Sequence, residues 1–149
     1  PITSFLTGNT YFLEAAPDTT LTEPAMAEEV IGVSNYNPLN NSFYLESGRG
    51  FSRTGRIRPD FAAPGVNVPT LYGNRTGSSL AAAIAAGGVA QFMQWAVVEG
   101  NSPLADTREV KNYFIKGATR MPGEIYPNRE WGYGALNVLG AFERLRGNV

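Results

Sequence analysis

Thr76-Gly77-Ser78-Ser79 runs straight into Leu80-Ala81-Ala82-Ala83, which puts a serine hydroxyl at the mouth of a long apolar helix. A serine attacks a carbonyl carbon only when a base accepts its proton and donors hold the oxyanion that forms. A helix start supplies such donors, because its first backbone N–H groups lack intrahelical partners and its dipole favours negative charge. Ser79 at that place presents its hydroxyl while its own N–H points at the developing oxyanion, and Gly77 removes a Cβ that would crowd a substrate. Yet the chain contains no histidine. An imidazole base must therefore come from elsewhere, and the residues describe part of a hydrolytic site. Gly-Ser-Ser before an apolar helix is also the pattern of an ordinary N-cap. On those few residues alone, capping is the stronger reading.

The other polar groups offer little to replace the missing base. Lys111 and Lys116 are the two lysines; both fall on a predicted downstream helix, and a base must lie within hydrogen-bond reach of its proton. Arg49, Arg53, Arg56 and Arg58, near Phe51 and Phe61, suggest a nucleic-acid patch. A formal charge of −1 supplies no sustained basic field, so they read as a solvated loop. Glu28-Glu29 reads as a solvent-facing pair. Asn40-Asn41-Ser42 and Asn74-Arg75-Thr76 match the glycosylation sequon by chance, since a sugar on Asn74 would block Ser79. No His/Cys/carboxylate grouping has metal-ligand spacing, and no cysteine is present for disulfides or thiolate sites.

These residues need a scaffold. A length of 149 with 43% apolar and 17% charged residues fits a globular domain with a core. Val30 to Tyr36, bounded by Asn37-Pro38, reads as a short strand apolar on both faces, as inside a parallel sheet. A second short strand is expected around Phe43 to Leu45. Phe61 to Val68 reads as two brief extended pieces joined by a bend at Pro64-Gly65. The Ala-rich run from Leu80 to about Glu99 predicts a central helix on that sheet, stopped by Gly100-Asn101-Ser102-Pro103. Gly87, Gly88, Gln91 and Gln94 interrupt it, so a buried helix explains it better than a membrane span. A helix capped by Asp106 or Thr107 runs to about Gly117. A last one spans about Asn137 to Arg146, with Val138, Leu139, Ala141, Phe142 and Leu145 on one face. Strands alternating with helical stretches indicate an α/β fold.

Three segments then shift the weighing of Ser79. Arg58-Pro59-Asp60-Phe61-Ala62-Ala63-Pro64-Gly65, Thr76-Gly77-Ser78-Ser79-Leu80-Ala81 and Trp131-Gly132-Tyr133-Gly134-Ala135-Leu136-Asn137 follow in order at compatible spacing. Together they resemble the subtilases, in which Lys/Arg-Pro-Asp-x-x-Ala-Pro-Gly precedes Gly-Thr-Ser-x-Ala and a Gly-x-Gly turn opens the closing helix. The resemblance covers nearly the whole chain and puts Ser79 at the nucleophile position, with Thr76, Gly77 and Ser78 as the nucleophile loop. Ser78 replaces the family threonine, and Ala83-Ile84 replaces Pro-His, so the helix entry differs in detail. Thr19 to Pro24, Glu109 to Ala118 and Tyr126 to Gly134 resemble clostridial and related Firmicutes subtilases, including germination proteases, whose catalytic domain often carries an inserted β-rich module.

The resemblance implies a partial subtilisin-like α/β/α sandwich with a mostly parallel sheet. Residues 1–13 would be the return from an inserted module or an upstream strand, and 14–149 the C-terminal part of the catalytic domain. Subtilases order their triad Asp, His, Ser, so the acid, the base and the side-chain oxyanion donor would lie upstream; Asn9 in Thr7-Gly8-Asn9 reads as structural. The implied activity is a serine endopeptidase acting through an acyl-enzyme on Ser79, with a peptide or protein substrate and the upstream half of the domain as partner. The isolated chain is expected to be inactive and to self-associate. No cofactor is visible, calcium use would belong to the parent, and neither nucleic acid nor membrane is an expected partner. A secreted, cell-envelope or spore-associated bacterial setting follows from the resemblance. Two rivals stand beside this reading: a pseudoprotease of the same fold that binds or signals, and a non-enzymatic α/β interaction domain in which Ser79 only caps a helix.

Overall fold

The computed structural model describes residues 12–146. Asn9, and all of residues 1–13 except Phe12 and Leu13, lie outside them. Three strands come first, β1 (Val33–Asn37), β2 (Ser42–Phe43) and β3 (Phe61–Pro64). Helices α1 (Ser78–Met93), α2 (Thr107–Gly117) and α3 (Val138–Arg146) follow, and α1 continues through a π-helical turn over Gln94–Val98. β1 is the middle strand, antiparallel to β2 and parallel to β3, with Val33 opposite Phe61 and Tyr36 opposite Pro64.

Alternation along the strands sorts side chains to two faces. Val33, Phe61 and Ala63 meet the helices, where Ala81, Ala85 and Phe92 of α1 pack with Val110 and Phe114 of α2 and Ala141 of α3. The rings of Phe61, Phe92 and Phe114 form the centre of this core, with Phe114 6.0 Å from each of the other two. Tyr36 and Ala62 face the other way, onto Trp131 and Ala135. Gly132 of that turn has φ +56°, and a Cβ there would lie 2.2 Å from the Pro59 carbonyl oxygen. Only glycine combines that dihedral with that approach.

Several expectations shift. β1 begins at Val33 and not Val30, because the Asp60 side chain and backbone bind Gly32 on both its N–H and its carbonyl. The strand is not apolar throughout either: Ser34 and Asn35 are buried within it. The strand expected at Phe43 to Leu45 contracts to two residues, and Leu45 is exposed. α1 starts at Ser78, two residues before the apolar run. Leu139 is exposed and does not join Val138, Ala141 and Phe142.

α1 is buried on one face only. Ala81, Ala85, Gly88 and Phe92 recur at helical spacing against the sheet, while Ala82, Ala83, Ala86, Gly87 and Ala90 are exposed. By length and composition Ser78–Val98 is long and apolar enough to cross a membrane; here its inner face carries the core. α2 meets Asp106 as predicted, whose side chain accepts from the Glu109 N–H. α2 and α3 approach closely at Gly117, where a Cβ would lie 2.3 Å from Ala141 N and 2.4 Å from Gly140 C. Since backbone atoms cannot yield as a side-chain tip does, Gly117→Ala is expected to cost about 1–3 kcal/mol of stability, read as a lowered melting temperature of the full-length protein.

Candidate active site

The C-terminal ends of β1 and β3 converge on the start of α1. Gly65, just beyond β3, donates to the Tyr36 carbonyl at 3.0 Å and accepts from the Gly77 N–H at 2.8 Å. A Cβ on Gly65 would lie 2.5 Å from Asn35 Cβ, 2.9 Å from Gly77 O and 3.1 Å from Ala81 Cβ. The absence of that atom lets the helix entry seat directly on the strand ends. From Gly65 the chain makes a short hairpin in which Val68 and Arg75 exchange backbone hydrogen bonds at 2.8 and 2.9 Å. Thr76 Oγ1 then accepts from the Asn67 N–H at 3.0 Å, tying the end of the hairpin to its beginning.

Ser79 and the three residues predicted to form its loop, Thr76, Gly77 and Ser78, fall together here. Gly77 is the N-cap, with extended backbone and no side chain to offer, while Ser78 and Ser79 occupy the first turn and are exposed. The capping expectation for the serines is thereby corrected, since neither Ser78 nor Ser79 is the cap and no side chain bonds the first turn of α1. The contrast within the chain is informative. α2 is capped by Asp106, and the N–H of Gly140 in α3 is taken by Asn137 Oδ1 at 2.7 Å. Among the described residues no acceptor takes the N–H of Ser78 or Ser79, and Ser79 Oγ makes no hydrogen bond. An exposed hydroxyl beside unpaired, dipole-aligned N–H groups can meet an incoming oxyanion.

Among the described residues no charged side chain is hydrogen-bonded to Ser79 as a base would be. Lys111 lies 3.5 Å from Asp60 Oδ1, at the opposite end of the sheet. Five residues of extended chain separate Asp60 from Gly65, about 16 Å. Asp60 is buried and takes the Gly32 N–H at 2.7 Å on its other oxygen, while Arg58 pairs with it and reaches the carbonyls of Ala27 and Glu28 at 2.7 and 3.2 Å. Arg58 was expected in a solvated loop. Its burial is possible because this carboxylate and two carbonyls receive its guanidinium. Of the others, Arg49 pairs with Glu130 at 3.2 Å and lies over the Phe43 ring, Arg56 pairs with Glu28 at 3.3 Å, and Arg53 is exposed. No group of three or more His, Cys, Asp or Glu among the described residues is placed to hold a metal ion.

Residues 4–134 match the model of the subtilase family. This chain belongs to that family. The CspB protease of Clostridium perfringens superposes with a TM-score of 0.90 at 37% identity, over 97% of this chain and 32% of that one. The prenylagaramide maturation protease PagA superposes with a TM-score of 0.70 at 24% identity, over 87% of this chain and 47% of that one, a likeness of fold. The minor extracellular protease Vpr of Bacillus subtilis (strain 168) is 26% identical over 133 residues, 80% of this chain and 14% of that protein. The subtilase's fold is thus the α/β fold that its motifs implied, and the chain spans less than half the length of each of these relatives.

Two features of this subtilase escaped the sequence reading. One is the tie from Lys111 on α2 to the Arg-Pro-Asp segment; the other is Asn35, a polar side chain fully buried in β1 whose carboxamide has no hydrogen-bond partner. The signal for the second was present as an asparagine inside an apolar run. Burial lowers the Lys111 pKa, against the pull of the Asp60 carboxylate and with a push from Arg58. Asp60→Asn strands the buried Arg58 charge and is expected to destabilise the protein by about 3–5 kcal/mol. Lys111→Met, which leaves the Arg58–Asp60 pair whole, should change stability by no more than about 1 kcal/mol near neutral pH, because burial already offsets that pair's gain. An unfolded chain holds its Lys111 proton to higher pH than the folded one, so stability gains a rising slope between the lowered and the ordinary lysine pKa. Lys111→Met removes that slope; urea titrations of the full-length protein across alkaline pH measure it.

Proposed function

We propose that this chain is the C-terminal part of the catalytic domain of a serine endopeptidase and that Ser79 is its nucleophile. The observation that carries the reading is an exposed Ser79 in the first turn of an uncapped helix, in a chain of the subtilase family. The proposed reaction starts with loss of the Ser79 proton to an imidazole supplied by upstream sequence, together with its acid partner. Ser79 Oγ then bonds to the scissile carbonyl carbon, and the oxyanion is held by the Ser79 N–H and by a side-chain donor also supplied from upstream. Collapse expels the amine, which takes the proton, and leaves an acyl-enzyme that water hydrolyses.

The exposed small residues of α1, from Ala82 to Ala90, support an upstream half of the domain as the partner that completes the fold. Peptides or proteins are the substrate class, and relatives named a protease and an extracellular protease support a secreted or cell-envelope bacterial setting.

A fluorophosphonate probe on the full-length parent tests the reading. Labelling should fall on Ser79 and vanish in Ser79→Ala with the fold intact. A folded parent that takes no label would instead place the protein among binding proteins of the same fold. The isolated chain, lacking the base, is expected to show no peptidase activity and to associate through its uncovered helix face. A strictly monomeric species by light scattering would contradict the second half of that expectation.

A further inference from the structure

Asn35 sits where polar side chains are costly. Its backbone is satisfied, with its N–H donating to Ser47 Oγ at 3.0 Å and its carbonyl accepting from Tyr44 N–H at 3.2 Å. Its carboxamide is fully enclosed, and among the described residues neither Oδ1 nor Nδ2 has a partner. An apolar side chain would suit an interior strand position better on every count of packing and desolvation. A group kept against that gradient in an otherwise consistent strand marks a functional position.

Its place shows what the function is. Ser34 and Tyr36 face the loop side of the sheet, with Ser34 Oγ donating to the Glu130 carbonyl and Tyr36 packing on Trp131. Asn35 therefore faces α1, as Val33 does. Its Cβ meets the same point above Gly65 that the Gly77 carbonyl and Ala81 approach. The Asn35 side chain thus leaves the strand beside the start of α1, which has no side-chain cap and where Gly77 has no side chain of its own to fix the entry angle.

We propose that Asn35 is a positioning residue for Ser79: its carboxamide wedges the junction of Gly65, Gly77 and Ala81 and so fixes the direction of the Ser79 N–H and hydroxyl. The proposal rests on Ser79 being the nucleophile. It identifies a residue that trades stability for the geometry of the reacting group, without touching substrate itself.

The test uses the full-length parent as wild type, Asn35→Ala and Asn35→Val, the valine filling much of the space and suiting a strand. The readouts are the second-order rate constant for fluorophosphonate labelling at Ser79, taken well below each variant's melting temperature so that all of the protein is folded, and the melting temperature itself. Both variants should label at least about tenfold more slowly, as misplacing a reacting group does, and Asn35→Val should melt no lower than wild type. Slowing by less than about tenfold in either variant overturns the proposal, by the usual reading of such ratios as lost transition-state stabilisation. A lower melting temperature for Asn35→Val also overturns it, because the carboxamide would then be serving the fold. An unlabelled wild type removes the peptidase reading and this inference together, whereas a labelled wild type with fast variants removes this inference alone.

Discussion

Close contact between the entry of α1 and the C-terminal ends of β1 and β3 governs how this chain can present a hydroxyl. Gly65 makes it possible, since its missing Cβ leaves room for Asn35, the Gly77 carbonyl and Ala81 to converge. With the helix seated there, Ser78 and Ser79 emerge at the surface. The hairpin between Gly65 and Thr76 is held by the Val68–Arg75 pair and by Thr76 Oγ1, so the approach to the helix is fixed from both ends. Open α/β sheets generally place their ligand sites at the C-terminal ends of parallel strands, and Ser78 and Ser79 are exposed at that end here.

A different kind of order holds the other end of the sheet. Arg58, Asp60 and Lys111 bring buried charges from the β3 approach and from α2 together, and Asp60 clamps Gly32 just before β1. Charge pairs of this sort specify which segments meet more than they add net stability. The two ends thus divide the work. The charged end fixes the arrangement of β1, β3 and α2, and the glycine-rich end leaves a hydroxyl and two N–H groups unpaired.

Much of this was legible in the residues. The Asp106 cap, the end of α2 at Gly117 and the Pro64-Gly65 bend all carry local chemical signals, and each falls where those signals put it. Residues 76–79 were legible as a motif at a helix start, although Ser78 enters the helix instead of capping it, because Gly77 takes the cap position with backbone alone. What local patterns could not reveal depends on pairing between distant segments. The start of β1 is set by Asp60, and Arg58 is buried because carbonyls of Ala27 and Glu28 happen to face it. The exposure of Leu139 follows from how α3 leans on α2, a relation no single helix pattern contains.

The outward strip of α1, in which Ala82, Ala83, Ala86, Gly87 and Ala90 surround Ile84, sets unusual terms for anything that lies upon it. Side chains this short offer little area each, so attraction per residue is weak and must be gathered by bringing main chain to within a few ångströms of main chain. Such a seam discriminates by contour. A branch added at Ala82, Ala86 or Ala90 would act as a spacer and hold a mating surface away from the helix there.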